Sequence, residues 1–319
     1  APELASLSSD SWPAAASVLG PGLSLEALGG AEALAGADAC LCCGGTSPAL
    51  LAAVLAAAPR LRWVHCAFAG VSHLPLAAIA AHPAAPALTN AKGVFSRSLA
   101  EYALMACKHF AMDVPRLVRN KRQRRYERFC VEELAGKTLG VVGYGDIGRA
   151  CARLAKEGFG MRVAALRRRP ELSGGDGLPD KVYGPGEVEA LARDSDYLVC
   201  ATPLTEATVG VVSRAVLEAL GPGGVLVSLG RGPCVDEAAL CELLASGGLK
   251  GAAMDVFQVE PLPESSPLWD LDNVLLSPHN ADMTATFQHE SVAFFVEEQL
   301  PRFLAGGELR NVCDVKEGY

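Results

Sequence analysis

The apolar positions of this chain fall into two alternating patterns. Short apolar runs bounded by glycine, proline or polar residues alternate with alanine- and leucine-rich stretches whose apolar positions recur at helical spacing. In the first hundred residues the runs are 38–43, 61–66 and 87–90, and helix candidates 48–58 and 74–81 lie between them. Strands that alternate with helices predict a parallel α/β sheet. Ser98 is then expected to cap a long helix running to about 112, with Leu99, Tyr102, Ala103, Met105 and Ala106 along it. A basic polar stretch, 116–127, follows and is expected to be a connector loop and domain boundary.

From 137 onward the alternation is more regular, with strand candidates at 139–143, 161–166, 197–200, 224–229, 250–254 and 274–277. That is the two-half βαβαβ arrangement of a doubly wound sheet. A last apolar helix, 284–304, is long enough to return to the first domain. The expected fold class is therefore α/β. A Rossmann cofactor domain spans 98–289, and a second, flavodoxin-like α/β substrate domain is discontinuous over 1–97 and 290–319.

The strand candidate at 139–143 runs into Gly143-Tyr144-Gly145-Asp146-Ile147-Gly148. In a G-x-G-x-x-G turn the first glycine permits the sharp bend. The second lets backbone N–H groups approach a pyrophosphate, and the third lets the following helix pack close to the strand. Such a motif arises by chance among 33 glycines, so its context carries the weight. Val141 and Val142 precede it, and Ile147, Ala150, Cys151, Leu154 and Ala155 recur at helical spacing after it.

Composition narrows the classes further. A chain of 319 residues exceeds the usual size of one core and suggests two domains, and 50% hydrophobic with 20% charged residues is ordinary for a globular protein. A net charge of −8 argues against a nucleic-acid partner, although Arg116, Arg119, Lys121, Arg122, Arg124, Arg125 and Arg128 form a local basic run with only Glu127 as an acid. The run reads first as a solvated connector and second as a dimer contact. No apolar run is long enough to predict a membrane span. The 11 cysteines show no paired C-x-x-C spacing, and Cys40, Cys42 and Cys43 lie in an apolar run, so reduced thiols and no metal site are expected. The expected location is the cytoplasm, or an organelle if a targeting segment was removed ahead of Ala1.

Three polar residues stand directly after strand candidates of the second half, where the active sites of open α/β sheets are found: Arg231, Glu260 and His279. A guanidinium can hold a substrate carboxylate and polarise its carbonyl, an imidazole can exchange a proton with the oxygen, and a carboxylate can orient the ring. Taken singly, each has a blander reading as a salt-bridge partner, a carboxylate beside Pro261 or a turn residue after Pro278. His65, His73, His82, His109 and His289 lack such a context and read as structural or solvated.

With these residues in view, the chain resembles the D-isomer-specific 2-hydroxyacid dehydrogenases, a family that includes glyoxylate and hydroxypyruvate reductases, phosphoglycerate dehydrogenase and formate dehydrogenase. Ala69-Gly-Val-Ser-His73, Thr89-Asn90, Ala100-Glu-Tyr102, Gly136-Lys-Thr-Leu-Gly140, the glycine motif, Thr202-Pro203 through Thr208, Gly230-Arg-Gly232, Asp255-Val-Phe257, Glu260-Pro-Leu-Pro263 and Ser277-Pro-His279 occur in the family's order. The resemblance implies a catalytic trio of Arg231, Glu260 and His279, with the substrate carboxylate held also by backbone N–H groups of Ala69, Gly70 and Val71. It implies cofactor contacts from Gly143, Tyr144, Gly145, Asp146, Ile147, Gly148, Thr202, Pro203, Thr208, Leu229, Gly230, Asp255 and Asn280, and a homodimer. Two departures bear on substrate choice: Asn280-Ala281-Asp282 replaces the apolar and small residues that usually follow the histidine, and Ser72 stands where many members carry aspartate.

The second cofactor-domain strand ends in Arg167-Arg168-Arg169, with Arg167 where an NAD enzyme places an acidic residue for the adenosine ribose. Guanidinium groups there can pair with a 2′-phosphate, so NADP(H) is expected with NAD(H) as the second choice. A solvated basic loop is the competing reading. The expected activity is reduction of a small anionic 2-keto acid, first glyoxylate or hydroxypyruvate. The alternatives are oxidoreduction of a bulkier 2-hydroxy acid such as 3-phosphoglycerate, or a nucleotide-sensing, corepressor-like protein of the same fold.

Overall fold

The structure is a computed structural model that describes residues 16–19, 23–44, 46–170 and 176–318. The chain divides into two compact units, one formed by Ala1–Phe95 with Ala285–Tyr319 and the other by Ser96–Thr284. The sequence reading set these divisions at 97/98 and 289/290.

In the first unit, strands β1 (Ala16–Leu19), β2 (Ala39–Cys42), β3 (Trp63–Cys66) and β4 (Ala87–Asn90) pair in parallel in that order. Every residue of β2 and β3 is buried, which is why they read as continuous apolar runs rather than alternating ones. Helix Pro48–Ala57 starts where Ser47 Oγ accepts from Leu50 N at 3.1 Å, and Leu51, Val54 and Leu55 pack with Leu61, Val64 and Leu88. On the opposite face Trp63 stacks on Phe295 at 5.0 Å and meets Phe303 at 4.9 Å.

The single helix expected over 284–304 is instead three pieces: Phe287–Ala293, a π-helical turn Phe294–Gln299, and Leu300–Leu304 with Pro301 in its first turn. Proline supplies no N–H to an earlier carbonyl, and a wider turn accommodates it. Gln299 is fully buried there. Its amide donates to the Arg310 carbonyl at 2.7 Å and accepts from Arg310 N at 2.9 Å, pinning the C-terminal tail.

In the second unit, β5 (Thr138–Val142), β6 (Arg162–Leu166), β7 (Lys181–Tyr183), β8 (Tyr197–Cys200), β9 (Val225–Ser228), β10 (Gly251–Met254) and β11 (Val274–Leu276) form one parallel sheet ordered β11-β10-β9-β8-β5-β6-β7. The chain winds outward from β5 in one direction and, from β8, in the other. The switch point between β5 and β8 is where such sheets bind ligands. Strands β1 and β7 were not anticipated; β7 has only three residues.

Two helix expectations are corrected. The long helix spans Ser96–Ala111, so Ser98 lies inside its first turn rather than capping it. The basic stretch is not a loop throughout, because Val114–Arg122 is helical: Asp113 Oδ1 accepts from Arg116 N at 3.2 Å, and Pro115 occupies the first turn, where its missing N–H costs nothing. Gly251 lacks the Cβ that would strike the Phe110 ring, so helix Ser96–Ala111 lies close on β10, and its Tyr102 hydroxyl meets Ser277 just after edge strand β11.

Candidate active site

The glycine motif sits at the switch point and each glycine has a distinct constraint. Gly143 has φ 94°, and a Cβ there would stand 2.9 Å from the Ala201 carbonyl group and Thr202 Cγ2. A Cβ on Gly148 would strike the Gly143 carbonyl oxygen, so helix Asp146–Arg153 packs directly on the strand. Gly145 is different: a Cβ would meet no protein atom within 4 Å, and no side chain caps the helix that starts after it. The open space at Gly145 and the uncapped N–H groups beyond it fit a pyrophosphate, which a Cβ would obstruct. Asp146 is exposed in that first turn, Ile147 is half-buried, and Tyr144 is buried.

Gly143 N and Tyr144 N both donate to the Leu166 carbonyl, at 3.2 and 3.1 Å, tying the turn to the end of β6. Arg167 therefore follows immediately beside it, half-buried, with Arg168 and Arg169 exposed. Across the switch point, Thr202 is buried 3.5 Å from Cys200 Sγ. Thr208 Oγ1 donates to the Pro203 carbonyl at 2.7 Å and accepts from Thr205 N at 2.8 Å, closing the 202–208 loop on itself.

After β9, Leu229 N donates to the Cys200 carbonyl at 2.9 Å, and Gly230-Arg231-Gly232 is held by missing atoms. A Cβ on Gly230 would fall on the Thr202 backbone, and one on Gly232 would fall on the Phe257 carbonyl. Arg231 is thus fixed between the loops after β8 and β10, with Nη1 donating to the Gly230 carbonyl at 2.7 Å. Phe257 N donates to Glu260 Oε1 at 2.9 Å, and Glu260 Oε2 stands 2.8 Å from His279 Nδ1. Glu260 and His279 are both partly exposed, at 35% and 40% of their side-chain area.

His279 is one of few non-glycine residues in the left-handed region, at φ 52°, with its N–H donating to the Ser277 carbonyl at 3.0 Å. Asp255, buried at the end of β10, holds this bend. Its carboxylate accepts from Ser277 Oγ at 2.6 Å, Asn280 N at 3.1 Å and Ala281 N at 3.2 Å. These donors satisfy a charge that would otherwise be costly to bury. The Tyr102 and Ser277 hydroxyls are 2.7 Å apart, and burial pushes the Tyr102 phenol up to about 12. Asp282 lies within Coulombic range of His279, Arg231 and Asp255; burial raises its carboxyl, while His279 and Arg231 lower it.

The sequence-predicted carboxylate turn belongs to the first unit. There the carbonyls of Ala67, Phe68, Ala69, Gly70 and Val71 are all engaged, the Ala69 oxygen by Asn90 Nδ2 at 2.6 Å and the Gly70 oxygen by Cys66 Sγ at 3.8 Å. Among the described residues the N–H groups of Ala69, Gly70 and Val71 donate to no protein acceptor. Three successive donors without acceptors suit an anion.

A family model described as the NAD binding domain of D-isomer specific 2-hydroxyacid dehydrogenases matches residues 101–281, more than half of the chain. The chain belongs to this family. Among curated relatives of this 2-hydroxyacid dehydrogenase family member, glyoxylate/hydroxypyruvate reductase A of Arabidopsis thaliana is 38% identical over 198 residues, 60% of this chain and 60% of that protein. Glyoxylate reductase of Thermococcus onnurineus is 30% identical over 282 residues, 82% of this chain and 81% of that protein. The match thus spans less than two thirds of the first relative and more of the second. Among solved structures, an NADPH-dependent glyoxylate/hydroxypyruvate reductase of Sinorhizobium meliloti, in complex with NADP and sulfate, superposes with a TM-score of 0.75 at 28% identity, covering 89% of this chain and 87% of that one. Parallel α/β architecture and a nucleotide-binding second unit follow from these likenesses and the sheet order.

Sequence reasoning overlooked the side chains that arrange these groups. Asp255 was read only as a cofactor contact, whereas its carboxylate organises the 277–281 bend, and Tyr102 was read as an apolar helix position within a family motif, without its hydroxyl contact to Ser277. Asp176 was missed altogether, although it accepts from Tyr144 Oη at 3.2 Å and pairs with Arg149 Nε at 3.2 Å. No motif marks it.

Proposed function

We propose that this protein reduces a small 2-keto acid, glyoxylate or hydroxypyruvate, to the D-2-hydroxy acid with NADPH. The observation that carries the reading is the held imidazole: one oxygen of Glu260 is fixed by Phe257 N and the other meets His279 Nδ1 at 2.8 Å. With Nδ1 engaged, Nε2 is the nitrogen that exchanges a proton. An imidazole held in this way can give a proton to a carbonyl oxygen and take it back.

The carbonyl carbon gains a hydride, which NADPH supplies when bound. His279 gives its proton to the carbonyl oxygen, so that the C=O group becomes CH–OH. Glu260 stabilises the protonated ring and fixes which nitrogen faces the substrate. Arg231 holds the substrate carboxylate and draws electron density from the carbonyl. Gly143 to Gly148 and the turn at Thr202 hold the dinucleotide, and Arg167, with Arg168 and Arg169, pairs with its 2′-phosphate. The names of the relatives and the NADP in the Sinorhizobium structure support the substrate and cofactor.

Steady-state oxidation of NADPH and NADH against glyoxylate, hydroxypyruvate, pyruvate and phenylpyruvate tests this reading. The highest kcat/KM is expected for NADPH with glyoxylate or hydroxypyruvate. Binding of NADPH without turnover of any of the four acids would overturn it and favour a sensor.

The protein is also proposed to be a homodimer, since Leu117, Val118, Met105 and Val131 are exposed apolar residues of the second unit. Sedimentation equilibrium is expected to give twice the 33.2 kDa chain mass; a single-chain mass at micromolar concentration would reject it. Among the described residues no helix is long and apolar enough to cross a membrane.

A further inference from the structure

Beside the glycine motif stands a carboxylate that the reaction does not use. Asp176 Oδ2 accepts from the Tyr144 hydroxyl at 3.2 Å and pairs with Arg149 Nε at 3.2 Å, while Oδ1 accepts from Leu178 N at 3.3 Å. Its side chain is only 11% exposed. Tyr144 lies between the first two glycines of the motif, and Arg149 is one turn into the helix, its N–H donating to the Gly145 carbonyl at 2.8 Å. Arg167 follows Leu166, whose carbonyl accepts from Tyr144 N at 3.1 Å; burial and Asp176 push the Tyr144 phenol up to about 12, against the charges of Arg149 and Arg167. One carboxylate, one guanidinium group and one phenol are thus joined beside the turn that the end of β6, just ahead of Arg167, is tied to.

We propose that Asp176 sets the balance between the two nicotinamide cofactors by holding a negative charge where the 2′ substituent of the adenosine ribose is recognised. This rests on the reading of Arg167 as the partner of a 2′-phosphate. A 2′-phosphate held by Arg167 brings like charge towards a carboxylate that is largely shielded from water. A 2′-hydroxyl has the opposite relation to the site, because it can donate to that carboxylate without displacing Arg149 or Tyr144. Asp176 therefore works against the arginines, weakening NADP(H) and preserving affinity for NAD(H). The sequence holds both signs of charge at this place, so its cofactor preference is a difference between them.

Calorimetric titration of NADP+, NAD+, 2′,5′-ADP and 5′-AMP into the wild-type protein, Asp176→Asn and Arg167→Ala reads this without turnover. Asp176→Asn is expected to tighten NADP+ and 2′,5′-ADP by about tenfold, leaving 5′-AMP unchanged and NAD+ unchanged or weaker. Unchanged or weaker NADP+ binding, or an equal change for all four ligands, would overturn the proposal; Asp176 would then be a strut for Tyr144 and Arg149. Arg167→Ala separates the two levels. Loss of NADP+ affinity in that variant with no gain in Asp176→Asn sinks the Asp176 role alone, whereas NADP+ affinity unmoved by Arg167→Ala removes the phosphate partner and the proposal with it.

Discussion

His65 in the first unit and His279 in the second are the same side chain in opposite settings. His65 lies within β3, fully buried, with Nδ1 2.7 Å from Thr89 Oγ1 and the rings of Trp63, Phe294 and Phe295 at 5.8, 5.9 and 5.4 Å. Its Nε2 has no hydrogen-bond partner among the described residues. Burial pushes its imidazole down to about 3, so it stays neutral at any ordinary pH. His279 follows β11, partly exposed, with a carboxylate on Nδ1. What separates a packing residue from a proton carrier here is whether the protonated ring has a partner and a route to solvent. Distance from a strand end does not decide it.

The sharpest way to break that contrast is to remove the ring that is proposed to transfer the proton. His279→Ala is expected to lower kcat by about three orders of magnitude while leaving NADPH affinity and the melting temperature near wild type. Turnover within tenfold of wild type would reassign the acid–base role.

The next effect belongs to His65 and is one of stability. Its unfolded form takes a proton below about pH 6.5, whereas the folded form resists until about 3, so stability is present above that window and lost as pH falls through it. The loss should reach a few kcal/mol by pH 4. Urea midpoints of the wild type and His65→Leu, measured from pH 7 to 4, should converge as the medium is acidified; parallel curves would show that burial of His65 does not govern the acid limb.

The smallest expected effect sharpens the His279 side. Asp282 has its carboxyl raised by burial and, more weakly, by Asp255, so it holds its proton more tightly folded than unfolded. The stability this gives is present below the unfolded value and lost as pH rises through the folded one. Asp282→Asn should therefore gain about 1–2 °C in melting temperature at pH 7 and nothing near pH 3.5. A gain independent of pH would mean that side-chain shape, not charge, is responsible.

Much of this was legible in the chain because the signals were local. The strand candidates from 139 onward fall within a residue or two of β5, β6, β8, β9, β10 and β11, and β5, β8, β9 and β10, buried along their whole length, read as unbroken apolar runs. The glycine motif was legible because each glycine answers a steric demand from residues on either side of one turn. The helix Val114–Arg122 was hidden by its charge, although Asp113 and Pro115 spelled its start. Tyr102 and Ser277 are 175 positions apart, and no periodicity reports a hydrogen bond across that separation. Asp176 escaped for a similar reason: its meaning comes from Tyr144 and Arg149, brought to it only by folding.

Gly232 gives the region after β9 an unusual mutational profile. A Cβ at this position would fall on the Phe257 carbonyl, and the Phe257 amide steadies Glu260, which in turn steadies His279. Even alanine at 232 would displace a backbone segment two contacts away from the imidazole. For protein engineering, this makes position 232 one that admits no side chain without moving the Phe257 backbone. Libraries that reshape substrate choice should leave it fixed and spend their diversity on 280 and 282, where the polypeptide can vary without disturbing that chain of supports.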